Sequence, residues 1–277
     1  MKTILVPTDF SRNSDNAIHF ALELNRKLKA KMVLFHSYVV ADFAGDLPLS
    51  MPSDDELRKS AEKGMHLQEK KIKEEYPGME METMTSAGYP ENEIIQISSD
   101  RKTDLVIMGT QGASGLREVL VGSITAAVME DTTCPVLAIP EKAEFSELRK
   151  IVFATNFADK DFENVAYVID LARKFDAEVI LLHVSTGEID KAYEFAAIES
   201  FRDRMAANSN YENVTIKLLE NRNVIDGLSF YLDEVKADML AMSMRHRTFF
   251  QKIFSRSKTK QMAFHTHIPL LAFHETK

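Results

Sequence analysis

Met108-Gly109-Thr110-Gln111-Gly112-Ala113-Ser114-Gly115, closed a few residues later by Gly122-Ser123, decides how this chain is read. Before it, Asp104-Leu105-Val106-Ile107-Met108 reads as a short apolar strand; after it, Ile124 to Asp131 reads as a helix. The order strand, glycine-rich loop, helix describes a phosphate cradle. Glycines let backbone N–H groups approach a ligand closely and adopt positive φ without a Cβ penalty. Ser123 is expected at the helix N-cap, where free N–H groups and the positive end of the macrodipole favour phosphate. No Gly-Lys-Ser/Thr closes the loop, so it is not a P-loop, and it is not G-x-G-x-x-G either. The alternative is that Gly109, Gly112 and Gly115 merely permit a tight loop.

The spacing Gly109-x2-Gly112-x9-Gly122-Ser123 acquires meaning beside the start of the chain, Ile4-Leu5-Val6-Pro7-Thr8-Asp9-Phe10-Ser11. Together these two motifs resemble the ATP-binding universal stress proteins, whose first strand ends in Pro-Thr-Asp. The resemblance implies a crevice over the carboxyl ends of parallel strands, the usual ligand position in open α/β sheets. It places Pro7, Thr8 and Asp9 in that crevice, with Asp9 and the backbone beside Ser37 on the adenine. Met108, Gly109, Gly112, Gly122, Ser123, Ile124 and Thr125 would hold ribose and phosphates. The implied cofactor is ATP, with or without Mg²⁺.

The chain also repeats itself. Residues 4–36 match 151–183 at a constant offset of 147, with Ile4 on Ile151, Thr8 on Thr155, Phe10 on Phe157 and His36 on His183. Residues 105–139 match 239–273 at an offset of 134, with Met108 on Met242, Ser123 on Ser257 and Pro135 on Pro269. A repeat of this length means duplicated domains rather than a solenoid. The piece missing from the second copy is expected to come from the loop around Asp42–Asp55. In the first copy Thr3–Pro7, Lys31–His36, Glu80–Thr85, Leu105–Gly109 and Val136–Ile139 read as strands. Asn13–Leu28, Asp54–Glu75, Pro90–Asp100 and Ser123–Asp131 read as helices, the second capped by Ser53 or Asp54 and the third opened by Pro90. Alternating β and α with near-continuous apolar strands predicts a parallel sheet covered on both faces. The expectation is two tandem, doubly wound, Rossmann-like α/β domains of five strands, residues 1–143 and 148–277, joined through the charged linker Glu141–Lys150.

Only the first copy keeps the cradle. Gly109, Gly112, Gly115 and Gly122 are answered by Ser243, His246, Phe249 and Arg256, and Pro7-Thr8-Asp9 by Ala154-Thr155-Asn156. One ATP site per chain follows. The replaced segment is basic, with Arg245, Arg247, Lys252, Arg256, Lys258 and Lys260. It reads as a solvated face with Arg256 plugging the vacant pocket, in preference to a rebuilt anion or partner site.

Composition sets the outer limits. Length, 277 residues, suits two domains, each with its own core. A net charge of −8 argues against general nucleic-acid binding. No apolar run approaches the ~20 residues of a membrane span. Met1-Lys2-Thr3-Ile4 enters a strand with no signal peptide before it, and Cys134 is the single cysteine, read as an inert buried thiol; a cytoplasmic setting is expected. His265 and His267 lack a carboxylate or cysteine at metal-ligand spacing. His36 and His183 end matching strands in both copies, which favours a structural hydrogen bond. Catalytic equipment is thin: the loop supplies only Arg117 and Glu118, so slow hydrolysis is the most these residues promise. The expected role is nucleotide-dependent stress regulation through a protein partner the sequence does not name. A weak ATPase or phosphotransferase, and a nucleotide-free interaction scaffold, are the alternatives.

The matching last strands, Val136–Ile139 and Leu270–Phe273, are apolar and carry no lysine to guard a free edge. They predict an internal pseudo-dimer, with homodimerisation open. Residues 1–143 alone are therefore expected to self-associate in light scattering more than the full chain does; a strictly monomeric fragment would refute the pairing.

Overall fold

The computed structural model describes residues 1–40, 52–110, 122–189, 191–244 and 267–274. They fall into two compact units, divided along the chain between Glu141 and Lys142. The first runs β1 (Thr3–Pro7), α1 (Arg12–Leu28), β2 (Lys31–Tyr38), α2 (Asp54–Glu75), β3 (Met81–Ala87), α3 (Pro90–Asp100), β4 (Leu105–Gly109), α4 (Ser123–Asp131) and β5 (Val136–Ile139). Its strands lie in the order β3-β2-β1-β4-β5, all parallel. The second runs β6 (Lys150–Ala154), α5 (Asp159–Arg173), β7 (Glu178–Ser185), α6 (Lys191–Asn208), β8 (Val214–Glu220), α7 (Val224–Val235), β9 (Met239–Met244) and β10 (Leu270–His274). Its order, β8-β7-β6-β9-β10, is the same topology.

Local chemistry explains these elements. Ser11 caps α1, its hydroxyl accepting from the Ser14 N–H at 3.2 Å, and Ala17, Ala21, Leu24 and Leu28 then bury one stripe against the sheet. Lys29 ends the helix in the left-handed region, and Asn25 clasps both backbone groups of Ala30 at 2.8 Å to launch β2. Ser53 and Glu56 form a capping box at α2, and Pro90 opens α3. Ile4, Leu5 and Val6 are fully buried, because helices cover both faces of a parallel sheet.

The duplication survives at atomic detail. Ile4 pairs with Leu105 in the first unit and Ile151 with Met239 in the second, preserving both sequence offsets. The Asp104 carboxylate accepts from the N–H groups of Lys2 and Thr3 at 2.6 and 2.8 Å. Asp238 does the same for Arg149 and Lys150 at 2.8 and 2.9 Å. Each aspartate satisfies the free donors at the start of a central strand.

Three sequence expectations need adjustment. β2 continues to Tyr38 and β3 spans Met81–Ala87, because their pairing persists through Ser37↔Ser86 and Tyr38↔Ala87. The shorter middle of the second copy comes from two places. The β2–α2 connection, 39–53, shrinks to 186–190 between β7 and α6, and the helix itself falls from 22 residues to 18. At α4 the N-cap is Gly122, and Ser123 is the first helical residue. Among the described residues no helix is long and apolar enough to cross a membrane.

Cys134 is 8% exposed, and burial pushes its thiol above the ordinary value. At about pH 8 it is expected to react with an aromatic disulfide reagent about tenfold slower or more in the native chain than in the unfolded one. Equal rates would refute its burial.

Candidate functional site

The strand order of the first unit reverses direction between β1 and β4, and the crevice opens at the carboxyl ends of those two strands. A cavity of about 130 Å³ lies there. Pro7, Thr8 and Asp9 reach it from the end of β1, Ser37 from β2, Met108 and Gly109 from β4, and Gly122, Ser123, Ile124 and Thr125 from the start of α4. Gly112, with Gly115, Arg117 and Glu118, lies outside the described residues.

A tight turn shapes the β1 side. Phe10 holds a left-handed φ of 61°, a conformation that costs a non-glycine residue roughly 1–2 kcal/mol. The cost is met locally: the Phe10 N–H donates to Thr8 Oγ1 at 3.1 Å, and the Ser11 N–H donates to Asp9 Oδ1 at 3.0 Å. His36 Nδ1 donates to the Thr8 carbonyl at 2.7 Å, and its ring lies 4.3 Å from that of Phe10. The second copy repeats the device. Phe157 has φ 60°, its N–H donates to Thr155 Oγ1 at 2.7 Å, and His183 Nδ1 donates to the Thr155 carbonyl at 2.8 Å. This histidine therefore belongs to the turn.

On the other side, the N-terminal turn of α4 has no side-chain cap. The N–H groups of Ser123, Ile124 and Thr125 lack intrahelical acceptors and stand at the positive end of the helix dipole. All three residues line the cavity. The Thr125 hydroxyl is already committed, donating to the Gly109 carbonyl at 2.8 Å, so Thr125 offers only its backbone. Met108 is buried.

The positive φ expected of the cradle's glycines is absent at the two that are described. Neither Gly109 nor Gly122 is in the positive-φ region; Gly122 has φ −66° and ψ 160°, open to any residue. A Cβ at Gly109 would stand 2.9 Å from Asn13 Nδ2 and 3.2 Å from the Asn13 carbonyl oxygen, so Asn13 would have to give way. Sequence reading also missed Ser14 of α1, and Pro90 and Ile94 of α3, which line the same cavity. The available signal was topological: each β-to-α junction of a parallel sheet opens at the same end.

The corresponding cavity of the second unit is built differently. Where Ser14 bonds Thr8 Oγ1 at 3.1 Å, Asp161 stands and accepts from Thr155 Oγ1 at 2.7 Å. Ser243, in the place of Gly109, donates to Asp161 Oδ1 at 2.6 Å and accepts from Asn164 at 2.9 Å. His246, Phe249, His265 and the basic residues from Arg245 to Lys260 lie outside the described residues.

The model of the universal stress protein family matches residues 1–140 and again 147–274. A universal stress protein of Methanocaldococcus jannaschii is 34% identical over 140 residues, covering 50% of this chain and 81% of that protein. A solved universal stress protein of Archaeoglobus fulgidus superposes with a TM-score of 0.74 at 20% identity, covering 98% of each chain, which establishes likeness of fold. Another solved universal stress protein, described in complex with cAMP, covers 50% of this chain at 21% identity and a TM-score of 0.38.

Proposed function

The chain belongs to the universal stress protein family, and on that premise we propose that its first unit binds ATP, one molecule per chain, as a nucleotide-dependent regulator. What supports the reading is the convergence, on one cavity, of the β1 end, the Met108-Gly109 backbone and an uncapped helix N-terminus. Asp9 and the backbone beside Ser37 recognise the base, and the first turn of α4 receives phosphate. In the family motif Gly112 joins that turn on the phosphates.

A regulator is favoured over an enzyme by the lining itself. Asp9 is its single ionisable side chain among the described residues, and no lysine or arginine stands there. Phosphoryl transfer draws on positioned cations and a carboxylate-held metal to neutralise developing charge. Binding without turnover lets ATP shift the chain between surfaces that a protein partner distinguishes.

Methionine methyl resonances separate the two units, because Met108 lines the first cavity and Met242 the second. ATP added to the full chain, labelled with ¹³C at the methionine methyls, is expected to move the Met108 signal and leave Met242 in place. Calorimetry is expected to give a stoichiometry near one. Two equivalent sites, or no response of Met108, would overturn the reading.

A further inference from the structure

The second unit has a cavity of about 340 Å³, within the ~300–1,000 Å³ typical of small-molecule sites. Its walls are largely apolar, with Leu182, Val184, Val224, Leu228 and Met242. Two carboxylates line it, and both are nearly inaccessible: Asp161 is 2% exposed and Glu194 7%. Glu194 accepts from Ser185 Oγ at 2.8 and 2.9 Å and lies 3.5 Å from His183 Nε2. Asp161 is held by the hydroxyls of Thr155 and Ser243. Among the described residues, no lysine or arginine lines the cavity beside these two carboxylates.

Position sharpens the contrast with the first unit. Asp161 sits in the first turn of α5, so the positive end of that helix already has its anion. An incoming phosphate would meet a carboxylate in a poorly solvated space, where like charges repel strongly. A cation is favoured by the same field. Apolar walls add the second requirement, a hydrocarbon body to fill them.

We propose that the second unit binds a small organic cation, a primary amine carried on an aromatic or branched aliphatic body, in the cavity lined by Asp161, Glu194 and Met242. The ammonium lies toward the carboxylates and the body against Leu228 and Val224. Ile189, half exposed at 50%, lies on the same lining and marks the way in. This site is independent of the nucleotide reading of the first unit.

The probe is 2-phenylethylamine, with 3-phenylpropanoate as an anion of similar shape, added to the full ¹³C-methionine-labelled chain. The amine is expected to move the Met242 methyl signal and not Met108, with a Kd of about 1 mM or below, and the anion to bind at least about tenfold more weakly. Asp161→Asn is expected to weaken the amine about tenfold or more. Because that substitution touches a buried hydrogen-bonded group, Ile189→Arg provides a surface variant that keeps the fold and sets a competing cation at the entrance; it too should weaken binding. Equal binding of amine and anion, no Met242 response, or full affinity in both variants would overturn the proposal. A Met242 response seen only in Arg256→Ala would assign the cavity to the chain's own basic segment and overturn it equally.

Discussion

Gly122→Arg is expected to abolish ATP binding while leaving the fold intact. Gly122 is the N-cap of α4, with φ −66° and ψ 160°, values that an arginine adopts without strain, and its N–H donates to the Thr110 carbonyl in either case. Stability should therefore change by no more than about 0.5 kcal/mol, as for most substitutions away from a core. The ligand effect is steric. A long side chain rising from the N-cap fills the space directly over the Ser123, Ile124 and Thr125 N–H groups, where phosphate has to sit. The chain carries the same change in its second copy, where Arg256 answers Gly122. Calorimetry of the variant should show affinity lowered about 100-fold or more, whereas Gly122→Ala, with one added methyl, should keep it within about threefold. Undiminished affinity in a folded Gly122→Arg chain would mean that phosphate binds elsewhere.

Much of the architecture was legible because several independent signals agreed. Apolar runs marked β1, β4 and β5 to the residue, and Ser53 or Asp54, and Pro90, marked helix starts. The internal offsets of 147 and 134 reappear in the β1–β4 and β6–β9 registers, since duplicated units pair their strands alike. Less accessible was whatever depends on which side chain faces which. Gly109 lines the cavity and also packs closely on Asn13, a contact the sequence did not announce. Thr125 looked like a phosphate ligand, yet its hydroxyl ties α4 to β4. Nothing in the sequence singled out Asp104 and Asp238, and their carboxylates cap the central strands. Most telling is the pair Ser14 and Asp161: the offset aligned them, but nothing in either sequence window says that this position points into the crevice.

That position should decide anion binding, and Ser14→Asp is expected to lower ATP affinity about 100-fold. The substitution has a precedent inside the chain, because Asp161 fits the same place in the second unit and accepts from Thr155 as Ser14 bonds Thr8. An added carboxylate in the first turn of α1 complements the helix dipole by roughly 0.3–1 kcal/mol, so the folded state should not suffer. Its effect on the ligand is electrostatic. A unit charge about 6 Å from a phosphate, at an effective dielectric constant near 20, repels it by roughly 2–3 kcal/mol, which corresponds to about 100-fold in Kd. Ser14→Asn, of similar size and neutral, separates charge from shape and should lose less than about fivefold. The repulsion lies in a partly enclosed cavity and is only weakly screened, so raising ionic strength should recover little of the loss. Equal losses in the aspartate and asparagine variants would show that size governs the position, and the difference between the two cavities would then have to arise in the loops that follow β4 and β9.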